Sequence, residues 1–367
     1  MKVLSIFGTR PEAIKMCPLV LELNKRKNVE CKVCLTGQHK EMLRQVMDAF
    51  DITAEYNLDI MRKKQTLTTI TIDILSEIEE VLILEKPDLV LVHGDTTTSF
   101  VGALAAFYQK IPVGHVEAGL RTGNIYSPYP EELNRQLIGR IAKYHFAPTE
   151  NNLKNLLQEN IKEHIYVTGN TVIDAFSTTV KTGYSFNLPA LNELDFCNKK
   201  IVLVTAHRRE NLGKPLENIC EALYQLTDAF PDVEIVYPVH LNPVVRETVY
   251  RRLGHVKTIH LIEPLDVMDM HNIIARCYMV MTDSGGLQEE APACGKPVLV
   301  MRTETERPEA VVAGTVKVVG VDADVIFKEA SCLLSEEASY KKMAKAVNPY
   351  GDGHASKRIA DIIESQF

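Results

Sequence analysis

The sequence predicts an α/β protein made of two doubly wound parallel-sheet domains in tandem. Three observations predict it. Short β-rich runs alternate with helical periodicities along the whole chain, several of those runs are almost uninterruptedly apolar, and the plan occurs twice. At 367 residues the chain exceeds one ordinary domain and suffices for two, each with a core of its own.

In the first half the predicted strands are Lys2–Phe7, Glu30–Thr36, Asp88–His93, Val113–Val116 and Tyr144–Phe146. The predicted helices are Pro11–Lys25, Lys40–Ala49, Leu67–Leu84, Thr97–Tyr108 and Glu131–Ala142. The second half repeats the pattern with strands at Ile201–Ala206, Glu234–Val239, Thr258–Ile262, Met279–Thr282 and Val298–Val300, with helices between them. The junction is expected near Val167–Asn170, and Asn187–Lys199 reads as a loop. A polar segment, Asn348–His354, precedes a last helix, Ala355–Glu364, which is expected to fold back onto the first domain. The expected domains are therefore 1–168 with 354–367, and 169–353.

Hydrophobic residues at 46% and charged residues at 24% place the chain among ordinary globular proteins. A net charge of −7 argues against a general nucleic-acid binder. The apolar run before Arg10 and Glu12 is too short for a signal peptide or a membrane span, and no later stretch is long enough, so a cytoplasmic protein with no membrane partner is expected. Of the eight cysteines, only Cys31 and Cys34 have CxxC spacing. They fall inside a predicted strand, where a spacing of three sends the thiols to opposite faces, so buried free thiols are expected rather than a metal site.

In open α/β sheets ligands bind beyond the carboxyl ends of the strands. There the first half offers Gly8-Thr9-Arg10, Gly37-Gln38-His39, Gly94-Asp95 and Glu117-Ala118-Gly119. The second offers His207-Arg208-Arg209, His240, Glu263-Pro264 and Asp283-Ser284-Gly285-Gly286. Small and charged residues thus gather at one edge of both sheets, and two such edges facing each other would make a cleft.

Thr9 and Glu12 have capping-box spacing, and Pro11 suits a first helical turn. A capped helix accounts for those three, but not for Arg10 beside the positive end of the helix dipole, where an anionic ligand would be welcome; Lys15 is within reach of the same place. Ser284 is placed to cap a helix whose first turn carries Gly285 and Gly286, an arrangement that lets a phosphate approach the free N–H groups. Glu290 stands four residues on, suited to the hydroxyls of a ribose; a solvated Glu behind a glycine-rich cap is the plainer reading. No GxGxxG follows the first strand and no GxxxxGK[ST] occurs, which disfavours dinucleotide and P-loop binding, and no cofactor is expected.

His93/Asp95 and His115/Glu117 form two His/carboxylate pairs at the ends of two strands. Acid–base work by Asp95 and Glu117, with at least one carboxyl pKa raised by crowding, is preferred to a metal site. Glu131 opens a helix with Arg135 one turn on, which reads equally as a dipole-complementing ion pair. His207 beside two arginines suits neutralisation of an anionic leaving group.

Taken together, FGTRPEAIKM (7–16), VHGDTTTS (92–99), GHVEAGLRT (114–122), YSPYPEELNRQ (126–136), TGNTVIDA (168–175), TAHRREN (205–211), YPVHLNPVVRE (237–247), TDSGGLQEEAP (282–292), ERPEAV (306–311) and NPYGDG (348–353) resemble the non-hydrolysing UDP-N-acetylglucosamine 2-epimerases of bacterial type. The matches occur in family order and span essentially the whole chain. The resemblance implies a GT-B-like fold, two Rossmann-like domains with the substrate between them, and interconversion of UDP-GlcNAc and UDP-ManNAc without NAD. UDP leaves C1 as C2 loses its proton, giving 2-acetamidoglucal, and then re-adds while a proton arrives from the other face.

By that resemblance Asp95, Glu117, Glu131 and His207 fall on catalytic positions. Arg10, Lys15, Ser284, Gly285, Gly286, Glu290 and Arg307 fall on UDP-sugar-binding ones. Positions matching Gln38, Gln65, Arg208 and His240 bind a second, activating UDP-GlcNAc in many bacterial members, although Glu41 and Lys64 stand here where some of those carry Gln and Arg. Leu265 and Met270 replace a Gln and a Phe of other members and are not counted in the site. A homodimer is expected from the family. The alternatives are a GT-B glycosyltransferase with a UDP-sugar donor, a hydrolysing epimerase releasing ManNAc and UDP, and a non-catalytic nucleotide-sugar sensor.

Overall fold

Strand-length apolar runs and well-capped helices build two compact units, residues Met1–Thr178 with Tyr350–Phe367, and residues Thr179–Pro349. The computed structural model describes residues 1–37, 40–62 and 65–367, and of residues 40–42 the backbone alone.

The first unit holds a seven-stranded sheet of β1 (Lys2–Phe7), β2 (Glu30–Leu35), β3 (Tyr56–Asn57), β4 (Leu89–His93), β5 (Val113–Val116), β6 (Tyr144–Ala147) and β7 (Ile165–Val167). Their spatial order is β3-β2-β1-β4-β5-β6-β7, and every pairing among them is parallel. The order reverses between β1 and β4, so the crevice at this switch point is lined by the turns that leave those two strands, Gly8-Thr9-Arg10 and Gly94-Asp95. The second unit holds β8 (Lys200–Thr205), β9 (Val233–Pro238), β10 (Ile259–Ile262), β11 (Met279–Thr282), β12 (Val298–Val300) and β13 (Val316–Val318), ordered β10-β9-β8-β11-β12-β13, again all parallel. Its switch point lies between β8 and β11, beyond which come His207-Arg208 and Asp283-Ser284-Gly285.

Ten of these strands match the expected ones. The other three, β3, β7 and β13, all lie at sheet edges. An edge strand is paired on one side only and here runs for two or three residues, so it carries no apolar run to announce it. Within Asn187–Lys199, expected as loop, one helical turn forms at Pro189–Asn192.

Both faces of each sheet are covered. Leu4, Ile6, Val90 and Val92 of the first sheet pack with Ile74 and Ile78 of helix Leu67–Glu85, and Val202, Val204, Ile235 and Met281 of the second with Ile219 and Leu223 of helix Lys214–Ala229. Each such side chain, wholly buried, contributes about 1.5–3 kcal/mol. Cys31 and Cys34 are both buried free thiols, each pushed up by burial to about 12. Cys197 departs from the buried pattern and is exposed.

The boundary between units falls at the end of helix Thr171–Thr179 rather than at Val167–Asn170. Hydrogen bonds tie that helix to the C-terminal segment. The N–H of Asn170 donates to Tyr350 O (2.7 Å), and Asp174 accepts from the N–H groups of Ala355 and Ser356. The last helix, Ala355–Gln366, packs on helix Arg10–Asn24, where Arg26 bridges Asp361 and Glu364.

Candidate active site

In the first unit the turn after β1 is a closed local design. Thr9 caps helix Arg10–Asn24, and the buried Glu12 carboxylate accepts the backbone N–H groups of Thr9 (2.7 Å) and Gly8 (3.0 Å). The other oxygen of Glu12 accepts the hydroxyl of Thr96 (2.7 Å), so one carboxylate joins the turns after β1 and β4 across the switch point. Gly8 is required there, since a Cβ would lie 2.0 Å from Thr36 Oγ1. Arg10 occupies the first helical position, half-buried.

Asp95 follows β4. Its Oδ2 accepts from Arg135 Nε at 2.8 Å and Nη2 at 2.7 Å, and its carbonyl accepts from Asn134 Nδ2 at 2.8 Å. Its Oδ1 has no hydrogen bond among the described residues. Arg135 also donates through Nη1 to Glu132 (3.0 Å), a fully buried carboxylate that accepts the N–H groups of Thr122 and Gly123. The expected Glu131–Arg135 pair does not form, because Arg135 is taken by Asp95 and Glu132. Glu131 is half-buried at the helix start, with no ion pair or hydrogen bond among the described residues.

Glu117 follows β5 with φ at +64°, a left-handed conformation that costs a non-glycine residue about 1–3 kcal/mol. Its Oε2 pairs with Lys15, accepts from Asn170 Nδ2 (3.1 Å) and faces His93 Nε2 at 3.5 Å, while its Oε1 has no hydrogen bond among the described residues. Burial alone would push this carboxyl up, but Lys15 and His93 outweigh it and hold Glu117 well below the usual carboxylate range. Crowding was expected to raise a carboxyl pKa here. Glu117 goes the other way because the carboxylates are not left to one another: Asp95 and Glu132 share Arg135, and Glu117 has Lys15.

The two His/carboxylate pairs are also rearranged. Register sets His93 beside Val116 and Val92 beside His115, one residue out of step, so His93 meets Glu117 and His115 Nε2 meets the carbonyl of Gly94 at 2.7 Å. Burial pushes His115 down to about 3, which keeps it neutral. Among the described residues no group of three or more His, Cys, Asp or Glu has the geometry to hold a metal ion.

In the second unit Ser284 stands at the N-cap of helix Gly285–Ala293, but its side chain makes no capping hydrogen bond, contrary to expectation. The Ser284 backbone is turned by Thr282, whose hydroxyl accepts the Ser284 N–H at 2.8 Å. The open helix end is flanked by two guanidinium groups, since a Cβ on Gly285 would lie 3.8 Å from both Arg208 Nη2 and Arg307 Nη2. Glu290 lies over Gly286, its Oε1 3.1 Å from where a Cβ would be, and is 3.8 Å from His271 Nε2. Arg307 is held by an ion pair with the buried Glu289.

Asp283, fully buried, accepts the N–H groups of His207 and Arg208, each at 2.8 Å, and Asn211 Nδ2 at 3.0 Å. Its other oxygen is 3.5 Å from His207 Nδ1. The His207 ring stacks on His240, 5.0 Å between centroids and 6° from parallel. Burial lowers the His207 pKa, and Asp283 only partly opposes it. Helix N–H groups without a side-chain cap, with two guanidinium groups beside them, are what a phosphate-bearing ligand needs.

Of the candidate activator positions, Gln38 lies outside the described residues, as do the side chain of Glu41 and Lys64. Gln65 is engaged in its own loop, accepting from the Arg62 N–H (2.9 Å) and donating to Ile60 O (2.6 Å). Arg208 and His240 do not stand apart, for they adjoin Gly285 and His207. The roles of four residues escaped the sequence reading. Glu132, Asp283 and Glu289 are buried carboxylates beside a candidate residue, and Asn170 is a bare amide. Each sits within one of the family-like motifs, but nothing local marked its role.

Two all-parallel units, each with charged residues at its switch point, have the architecture of GT-B-like proteins. The family model for UDP-N-acetylglucosamine 2-epimerase matches residues 21–364. The UDP-N-acetylglucosamine 2-epimerase of Bacillus subtilis is 56% identical over 362 residues, 98% of this chain and 94% of the relative. That of Escherichia coli K12 is 52% identical, covering 100% of this chain and 99% of the relative. The solved UDP-GlcNAc 2-epimerase of Neisseria meningitidis, bound to UDP-GlcNAc, superposes with a TM-score of 0.88 at 48% identity, over 100% of each chain. The chain belongs to the UDP-N-acetylglucosamine 2-epimerase family. No helix among the described residues is long and apolar enough to cross a membrane.

Proposed function

We propose that this enzyme interconverts UDP-GlcNAc and UDP-ManNAc without releasing free sugar, supplying ManNAc units for cell-surface polysaccharide. The C2 proton has no adjacent carbonyl to acidify it, so inversion by simple removal and return is blocked. Elimination removes the obstacle. A carboxylate takes the C2 proton as the C1–O bond breaks, the C1=C2 bond of 2-acetamidoglucal forms, and UDP leaves with the electron pair. A proton then reaches C2 from the opposite face as the UDP oxygen rebonds to C1 in a syn re-addition.

The observation that carries the reading is Glu117, ionised, anchored through one oxygen and open at the other. Asp95 and Glu131 supply further carboxylates, so that both faces of C2 can be served. The uncapped Gly285–Gly286 end, with Ser284, Arg208 and Arg307, suits retention of the UDP diphosphate, while Glu290 suits the ribose. Arg10 and Lys15 add positive charge for the substrate, and His207 beside Arg208 offers a ring N–H to the departing phosphate. UDP must stay bound through the glycal stage, since its loss would end the cycle in hydrolysis or release. Assembly as a homodimer and activation by a second UDP-GlcNAc near Gln65, Arg208 and His240 belong to the same reading.

The test is incubation with UDP-GlcNAc alone in D₂O, monitored by NMR. UDP-ManNAc carrying deuterium at C2 is expected. Free ManNAc with UDP would mean a hydrolysing enzyme, and unchanged substrate would leave a glycosyltransferase or a sensor.

A further inference from the structure

His93 closes β4 and is 3% exposed, yet neither ring nitrogen has a hydrogen-bond partner among the described residues. Two other buried histidines are each anchored through a ring nitrogen, His115 on the carbonyl of Gly94 and His271 on the hydroxyl of Thr179. The carboxylate that His93 faces is Glu117, with Oε2 3.5 Å from Nε2. A buried imidazole left without a bond is uncommon and calls for an explanation outside packing.

The geometry around Glu117 supplies one. Lys15, Asn170 and His93 converge on Oε2, and nothing among the described residues bonds Oε1. Oε1 is turned to Gly94, where a Cβ would lie 3.8 Å away and where glycine, at φ +65°, leaves the approach open. The carboxylate is therefore gripped on one side and presented on the other. Lys15 is also a residue the family resemblance gives to the UDP-sugar. An ammonium drawn to an anionic substrate loosens its hold on Oε2, and Asn170 and His93 are what remains.

We propose that His93 is a positioning residue for Glu117, its Nε2–H holding Oε2 so that Oε1 stays turned toward the sugar when Lys15 engages the substrate's negative charge. The proposal rests on the reading of Glu117 as a proton-transfer group. The ring then needs the Nε2–H tautomer or the protonated form, since a bare Nε2 lone pair would repel the carboxylate. Its long contact in the free enzyme is that of a bond that tightens once the competing cation moves.

The experiment compares His93→Leu, which removes both nitrogens, with His93→Gln, which returns an amide donor near Nε2. The leucine variant should lose about 10²-fold in kcat with KM within about threefold, and the glutamine variant should recover about tenfold of that loss. A leucine variant with near-native kcat, or a folded glutamine variant no better than leucine, overturns the proposal. Should neither variant fold, ¹⁵N NMR of the wild-type ring decides: Nε2–H is expected, and Nδ1–H with bare Nε2 overturns it. Failure of the functional reading looks different. Wild-type enzyme would then form no UDP-ManNAc, or E117Q would keep its rate, and the positioning role would fall with it.

Discussion

Arg135 grips a single oxygen of Asp95, Oδ2, with two of its nitrogens, Nε at 2.8 Å and Nη2 at 2.7 Å. The third guanidinium nitrogen is spent on Glu132, which has no exposed surface. One cation thus orients a candidate catalytic carboxylate and neutralises a buried structural one. Lysine gathers its donors on one nitrogen and lacks the planar fork that reaches both carboxylates in this geometry. Arg135→Lys should lower kcat at least tenfold. Arg135→Leu should in addition cost about 3–5 kcal/mol, because Glu132 is left as an uncompensated buried charge. Steady-state kinetics and urea unfolding of the two variants check this, and an Arg135→Leu protein as stable as wild type would contradict it.

Asp95→Asn, Glu117→Gln and Glu131→Gln should each lose two or more orders of magnitude in turnover, on the order expected for removing an acid or base. UDP should still bind to all three, since its proposed site is built from other residues. Calorimetric titration beside a coupled assay separates the effects. A variant that keeps near-native turnover identifies a carboxylate whose role is structural.

Glu117 makes a pH prediction whose sign comes from its depressed pKa. The folded state holds the carboxyl below its ordinary value of 4.5, so the stability it contributes is complete above that value and is lost as pH falls toward the lower folded value. Glu117→Gln should therefore show a shallower decline of melting temperature below pH 4.5 than wild type. Lys15→Met removes the largest force lowering the pKa and leaves burial to raise it, so Glu117 no longer adds to the acid-side loss and this variant too should decline less steeply below pH 4.5. Identical acid profiles for wild type and both variants would refute the assignment.

Gly285→Ala tests the helix end. Its methyl would stand 3.8 Å from two guanidinium nitrogens, an ordinary contact, so the fold should tolerate it. The same methyl occupies the space a phosphate needs between Arg208 and Arg307. UDP affinity should fall tenfold or more, while the melting temperature moves by no more than a few degrees. Unchanged UDP affinity would place the nucleotide elsewhere.

Arg307→Ala should both weaken UDP and destabilise the second unit, since Glu289, 3% exposed, loses this ion pair. Thermal denaturation without ligand isolates the second effect from the first.

What the sequence by itself determined is whatever rests on neighbours along the chain. Thr9 and Glu12 are three residues apart, so their reciprocal capping bonds could be read from spacing, and the apolar runs of β1, β4, β8 and β11 announced buried parallel strands. Gly286 and Glu290, one helical turn apart, met as expected. The family resemblance added roles that spacing alone does not carry.

Only the tertiary structure decided which charge answers which. Lys15 and Glu117 are 102 residues apart, and Arg135 is 40 residues beyond Asp95, so their pairing depends on strand order and register rather than on any local pattern. A one-residue offset between β4 and β5 carried His93 to Glu117 and His115 to a carbonyl. The edge strands β3, β7 and β13 and the buried acids Asp283 and Glu289 belong with these. A short edge takes its structure from its neighbour, and a buried carboxylate is tolerable only once its distant donors have arrived.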